Sequence, residues 1–265
     1  MELFWSHYWV ALAVAAAAMT VLWAVSVPLR NASIVDPFWG PGFVLCGFTY
    51  WWSLGREADA RALLVLTLLT LWGLRLGLFL AWRNHGKGED FRYRKFREDF
   101  GPDRYWWYSL PSVFLLQGLL MWLISSPLLG AQLATPAGSF AELGWIDACA
   151  VAIWLLGFVF EAGADWQLAR FKSDPANRGQ LLSSGFWRWT RHPNYFGDAA
   201  VWWGFGLFAV AAGRPLAALG AVAMTALIVK VSGVALLETS LRSQKPGYAE
   251  YARRTSAFIP WFPKR

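Results

Sequence analysis

Seven long apolar runs constrain this chain more than any other feature. They lie at about 7–27, 37–55, 62–82, 109–130, 142–164, 196–213 and 215–237, each near the roughly twenty residues a helix needs to cross bilayer hydrocarbon. Within hydrocarbon a segment must satisfy its own backbone N–H and C=O groups, which favours helices. The chain is 57% hydrophobic and only 15% charged, a composition of polytopic membrane proteins and not of ordinary soluble domains. Its 19 tryptophans suit the membrane–water boundary. The first run lacks the charged head and short core of a cleaved signal and is long enough to stay as a span. Pro28, Pro37, Gly40, Pro41, Gly101, Pro102, Pro136, Gly138 and Pro215 fall mostly between runs. The expectation is an all-α membrane protein of about seven spans, one domain over 1–265. Residues 1–107 would supply substrate-cavity helices and 108–265 a cofactor-binding region.

Lysine and arginine orient the runs. The segment 83–107 carries seven, 165–195 carries five and the tail after 237 carries six, whereas Arg56, Arg61 and Arg214 fall in the opposite loops. With seven spans the three basic segments share a side, which the positive-inside rule makes cytoplasmic, and the N-terminus lies outside. The net charge of +7 therefore reflects cytoplasmic loops and anionic lipid, and no nucleic acid partner is expected. Basic, aromatic and acidic residues alternate from Asp90 to Arg97, a surface suited to a phosphate-bearing ligand from the cytosol.

Polar groups inside or at the edge of the runs point to chemistry. Arg75 sits in the middle of the third run and must face the bundle interior, as a salt-bridge partner of Glu161 or Asp36 or as a ligand group. Glu161 and Asp165, four apart at the end of the fifth run, share a helix face and need cations or ligand hydroxyls and amides between them. The densest cluster is Arg188–Asp198. Asn194 and Asp198 share a face at the head of the sixth run, with Arg191 a turn earlier and His192 and Tyr195 beside them. Singly each could be a cap or a first-turn acid; together they are too many polar groups for that. Cys46 and Cys149 lie inside apolar runs and read as small core residues. His7, His85 and His192 are scattered, so no metal site is expected. No serine occupies a nucleophile elbow. The glycines from Gly204 to Gly206 lie within an apolar run with no strand before them, so helix packing explains them better than a dinucleotide fold. Gly73 and Gly77 could pack helices within or between chains, which leaves the oligomeric state open.

The stretch Gly185–Asp198, with Glu238-Thr-Ser-Leu, Pro246-Gly-Tyr-Ala-Glu-Tyr251 and Phe258-Ile-Pro260 in the tail, resembles the C-terminal domain of the steroid 5α-reductase superfamily. Ser33-Ile-Val-Asp-Pro-Phe-Trp39 makes the whole chain similar to that superfamily's bacterial branch of unknown function, and so to an integral protein of the bacterial inner membrane. The superfamily includes sterol C=C reductases and isoprenylcysteine methyltransferases. An acid after the motif glycine, here Asp198, accompanies the reductases, so the resemblance implies NADPH, with S-adenosylmethionine as the alternative cofactor. It places Asn194 and Asp198 at the nicotinamide, with Arg191, His192 and Tyr195 in the same motif. Asp165 matches an Asn-x-x-x-Asp pair of the steroid enzymes, and Glu161 departs from it. Arg170 and Arg178 would meet phosphates, and Glu238 and Arg242 would close over the cofactor. In the third run Arg75 is kept, but Trp72 stands where the steroid enzymes carry a tyrosine. Indole is a poor proton donor, which argues against a steroid ketone.

The expected activity is hydride transfer from NADPH to an activated C=C bond of a lipophilic substrate entering from the bilayer, with Asp36, Trp72 and Arg75 at the reacting end and Asp36 or a bound water as acid. An S-adenosylmethionine-dependent methyltransferase and a non-catalytic membrane protein are the competing expectations.

Overall fold

The computed structural model describes residues 2–55, 60–133, 143–232 and 247–264. It is helical, and it divides into two compact units, one formed by Met1–Leu143 with Phe208–Ala217 and the other by Gly144–Leu207 with Ala218–Arg265. The helix that begins at Pro193 contributes residues to both units, since Phe208–Ala217 belongs to the first.

In the first unit α1 (Glu2–Leu29) leads through a 3-10 turn (Ala32–Phe38) into α2 (Trp39–Ser53) and α3 (Ala60–Asn84). A short basic helix, α4 (Phe91–Phe100), follows. The next helical stretch is segmented: α5 (Tyr105–Ser109), a π-helical turn (Leu110–Leu115), α6 (Leu116–Ile124) and α7 (Ser126–Gln132). Pro111 and Pro127 lie at two of its joints, where the missing N–H and the ring clash disfavour a regular helix. The second unit contains α8 (Trp145–Ser173), α9 (Phe186–Trp189), most of α10 (Pro193–Ala211), α11 (Leu219–Ala226), a π-helical turn (Leu227–Ser232) and α12 (Tyr248–Arg254).

Among the described residues four stretches are long and apolar enough to cross a membrane: Leu3–Leu29, Ala60–Asn84, Tyr105–Gln132 and Trp145–Ser173. Large apolar side chains such as Val21, Leu71, Leu78 and Val159 stand exposed on them, as lipid-facing positions do. These features make the chain an integral membrane protein. The second apolar run is shorter as a helix than its letters suggest. Asn31 accepts a hydrogen bond from Ser33 N at 2.9 Å and starts a 3-10 turn through Pro37, leaving α2 only 15 residues. The sixth run begins inside the polar motif at Pro193, a good first helical position because it lacks an N–H. The seventh begins as a 3-10 turn (Pro215–Ala218), and its end lies outside the described residues.

Small residues set the packing of each unit, as expected where lipid removes the usual drive to bury apolar groups. In the first unit a Cβ on Gly73 would sit 2.6 Å from the Gly40 carbonyl oxygen, so α2 and α3 touch backbone to backbone. Tyr8 and Trp122 add reciprocal polar ties: Tyr8 Oη donates to the Trp122 carbonyl at 2.9 Å, and Trp122 Nε1 donates to the Tyr8 carbonyl at 2.8 Å. In the second unit a Cβ on either Gly157 or Gly197 would lie 2.6 Å from the other's carbonyl oxygen. That crossing of α8 and α10 positions the candidate site.

Candidate functional site

Glu161 lies one turn past Gly157 on α8, and Asp165 one turn further; both are buried. Asn194 lies in the first turn of α10, three residues before Gly197. Because the glycines let the two backbones meet, Asn194 Nδ2 reaches Asp165 Oδ1 at 3.2 Å. Asp198 follows Asn194 by one turn on α10. The structure thus joins Asp165 and Asn194 directly, with Glu161 beside the same crossing. His192 is buried immediately before α10, its ring stacked on Tyr195 with centroids 5.8 Å apart. Its backbone N–H donates to Thr190 Oγ1 at 3.3 Å, and its carbonyl accepts from Phe196 N at 3.0 Å.

The segment before α10 is fastened to the C-terminal residues. Thr190 pairs with Ser256 in an isolated parallel β-bridge. Arg191 N donates to the Ser256 carbonyl at 2.9 Å, and Arg191 Nη1 donates to the carbonyls of Ala252 at 2.6 Å and Thr255 at 3.1 Å. Thr190 Oγ1 donates to the Phe258 carbonyl at 2.9 Å, Trp261 N to the Trp189 carbonyl at 2.9 Å, and Tyr251 Oη to the Trp187 carbonyl. Arg191, expected at a cofactor, therefore has its guanidinium on main-chain carbonyls of the tail. Arg170 lies over the Trp166 ring at 5.4 Å, and Arg178 is exposed just beyond the 3-10 turn Pro175–Asn177. Glu238 and Arg242 lie outside the described residues.

Between the segment around Arg188 and α12 the second unit holds a cleft of about 460 Å³, open to solvent. Leu181, Ser183, Arg188, Glu250, Tyr251 and Arg254 are among its lining residues. Arg188 opens the polar motif, and the sequence around it implies no role for it. Nothing local marks it, because the cleft's other wall is supplied more than sixty residues later.

The first unit organises Asp36 differently from expectation. Its carboxylate accepts from Arg92 Nη2 at 2.9 Å on one oxygen and from Tyr93 Oη at 2.6 Å on the other. The direction of the second bond is fixed by a chain of donors. Trp39 Nε1, which can only donate, meets Gln117 Oε1 at 2.6 Å; Gln117 Nε2 then donates to Tyr93 Oη at 3.3 Å, sending the phenolic proton to Asp36. Burial raises the Asp36 carboxyl above its ordinary value, against the opposing pull of Arg92 and of the Tyr93 hydrogen bond. Burial and then the Asp36 charge raise the Tyr93 phenol. For Asp90 burial also pushes upward, but hydrogen bonds from the Arg92 side chain and backbone and its charge prevail, and the carboxyl is lowered. Next to this network Glu89 accepts from Ala32 N at 2.7 Å and from Arg97 Nη2 at 2.9 Å, and Asp90 N donates to Ser33 Oγ at 2.6 Å. Two segments some 57 residues apart are thus locked together. Asp36 acts here as a hydrogen-bond acceptor at both oxygens.

The other two residues expected at the reacting end do not join this network through their described contacts. Trp72 is fully buried, its ring 5.9 Å from that of Phe43. Arg75 is half-buried, with its guanidinium 5.3 Å from the Phe79 ring centre.

Comparison with known proteins agrees with the whole-chain reach of these features. An uncharacterized protein of Schizosaccharomyces pombe is 30% identical over 268 residues, covering 91% of this chain and 76% of the relative. Residues 22–255, from within α1 to just past α12, match DUF1295, a family described as proteins of unknown function, and the chain belongs to that family.

Proposed function

We propose that the protein is a membrane-embedded, NADPH-dependent reductase of an activated C=C bond in a lipophilic, steroid- or isoprenoid-like substrate. The observation that carries this reading is the hydrogen bond from half-buried Asn194 to buried Asp165 at the α8–α10 crossing. A carboxamide requires both a donor and an acceptor, and this pair offers an amide and a carboxylate together. Of the two, Asn194 is a residue that the resemblance to the steroid 5α-reductase superfamily places at the nicotinamide, and Asp165 matches the acid of that superfamily's Asn-x-x-x-Asp pair. Membership in that superfamily is part of the proposal.

The donor set fits the nicotinamide-ribose end of such a cofactor. Asp165, Glu161 and Asp198 would accept from amide and hydroxyl groups and would repel phosphates, which must be held by basic groups such as Arg170 and Arg178. When bound, the nicotinamide supplies a hydride to the β-carbon of the acceptor. Asn194 and Asp165 would fix the carboxamide, and His192 and Tyr195 would wall the site. Asp36 accepts at both oxygens, so a solvent proton suits the protonation step better than one carried by that carboxyl. The bias of lysine and arginine among the loops supports seven spans with the N-terminus outside and the C-terminus in the cytoplasm, in a bacterial cytoplasmic membrane.

One observation favours a second reading. Two buried carboxylates on α8 also suit a cation, such as the ammonium and sulfonium of S-adenosylmethionine. Mass spectrometry of the ligand retained through purification, together with titrations of both cofactors, tests the choice. The reductase reading expects a nicotinamide dinucleotide; retention and binding of S-adenosylmethionine alone would replace it with methyl transfer.

A further inference from the structure

We infer that the cleft between Arg188 and α12 is a phosphomonoester site, and that it takes the 2′-phosphate and adenosine end of the dinucleotide. This inference rests on the reductase reading and deepens it. Its volume of about 460 Å³ lies in the range of small-molecule sites. The Arg188 guanidinium has neither an ion pair nor a hydrogen bond among the described residues, although it lines the cleft. Arg254 is engaged only loosely, at 3.7 Å from Glu250 and 3.5 Å from the Lys264 carbonyl. Ser183 adds a hydroxyl, and Leu181 and the Tyr251 ring give apolar surface against which a base can lie. The guanidinium fork matches phosphate oxygens.

The walls of the cleft are held together by hydrogen bonds within the chain. Tyr251 Oη holds the Trp187 carbonyl, and Arg191 holds those of Ala252 and Thr255, so the two sides of the cleft are tied where they meet. The same ties fix the start of α10, where Asn194 binds Asp165. The carboxylates at that crossing repel phosphate, and Arg188 supplies the positive charge that they lack.

The test measures binding of NADPH, NADH and adenosine 2′,5′-bisphosphate to the full chain in zwitterionic nanodiscs, for wild type, Arg188→Ala, Arg188→Lys and Glu250→Gln. The expectation is that Arg188→Ala weakens NADPH and the bisphosphate roughly ten- to a hundredfold, the worth of a charge-assisted contact, and leaves NADH unchanged. Arg188→Lys should recover part of the loss, and Glu250→Gln should tighten NADPH several-fold without altering NADH, a result that does not depend on the alanine variant folding. If both dinucleotides bind and none of these substitutions changes their ratio, the cleft assignment is overturned and the reductase reading stands. Arg188-dependent binding of the bisphosphate with no dinucleotide binding supports the phosphate site and overturns the reductase reading. Binding of none of the three overturns both. Stabilisation by anionic lipid that disappears only in Arg188→Ala would identify a lipid headgroup as the occupant and overturn the assignment to a nucleotide.

Discussion

Asn194 donates its side-chain amide to Asp165 across 3.2 Å, joining the first turn of α10 to α8 at a buried carboxylate. Removing the amide leaves an oxygen of a buried carboxylate without that donor. Asn194→Ala should therefore cost about 1–3 kcal/mol of stability and abolish dinucleotide binding. Asn194→Asp, which sets two carboxylates together, should cost more than the alanine change. Unfolding in detergent or nanodiscs, followed alongside ligand titration, measures both effects. Full stability with intact binding in Asn194→Ala would remove the pair from the site.

The α8–α10 crossing makes a sharper demand on Gly197 than on Gly206. A Cβ at Gly197 meets the Gly157 carbonyl oxygen at 2.6 Å, whereas the nearest atoms to one at Gly206 are the methyl groups of Ala218 and Ala221 at 3.4 Å. Gly197→Ala should destabilise by about 1–3 kcal/mol or more through overpacking. Gly206→Ala should be near neutral, since helix propensity favours alanine. Thermal unfolding of the two variants compares them directly.

Arg191 clamps the tail through Ala252 and Thr255. Arg191→Ala should cost roughly 1.5–3 kcal/mol, the range for hydrogen bonds from a charged donor, and should raise protease cleavage after residue 252. Thr190→Val, which loses the bond to the Phe258 carbonyl, should give a smaller change in the same direction. Cleavage at the wild-type rate in Arg191→Ala would show that the tail holds without the clamp.

Asp36 gives a pH dependence with a definite sign. Its folded carboxyl lies above the ordinary value because burial outweighs Arg92 and Tyr93. Its contribution to stability is then fully present below the ordinary carboxylate range and is lost as pH rises through the raised value. The stability difference between wild type and Asp36→Asn should accordingly fall with rising pH across that window and be flat above it. A difference that grows with pH would mean that the Arg92 ion pair dominates burial. Urea unfolding at several pH values in the acid range reads the slope.

Much of the helical layout is legible from the letters, because long apolar runs and the prolines between them act locally. The departures have local causes too. Pro37 and the Asn31 cap convert the head of the second run into a 3-10 turn, and Pro111 and Pro127 mark joints in the stretch Tyr105–Gln132. The site is legible only as a set of residues. That Asp165 meets Asn194 depends on Gly157 and Gly197 approaching across two helices, a non-local fact. Asp36 stands out in the sequence as an acid, yet its partners Arg92 and Tyr93 come more than fifty residues later and make both its oxygens hydrogen-bond acceptors. Arg191 reads as a ligand group because an arginine bound to main-chain carbonyls leaves no sequence signature.

The most direct test of the account is the melting temperature of purified wild-type protein in nanodiscs, titrated with NADPH and separately with S-adenosylmethionine. A ligand that binds the native state stabilises it by mass action, about 2.7 kcal/mol at a hundred times its dissociation constant. The account predicts a saturable rise with NADPH that Asn194→Ala abolishes. No shift with NADPH, or a saturable shift with S-adenosylmethionine alone, would contradict it.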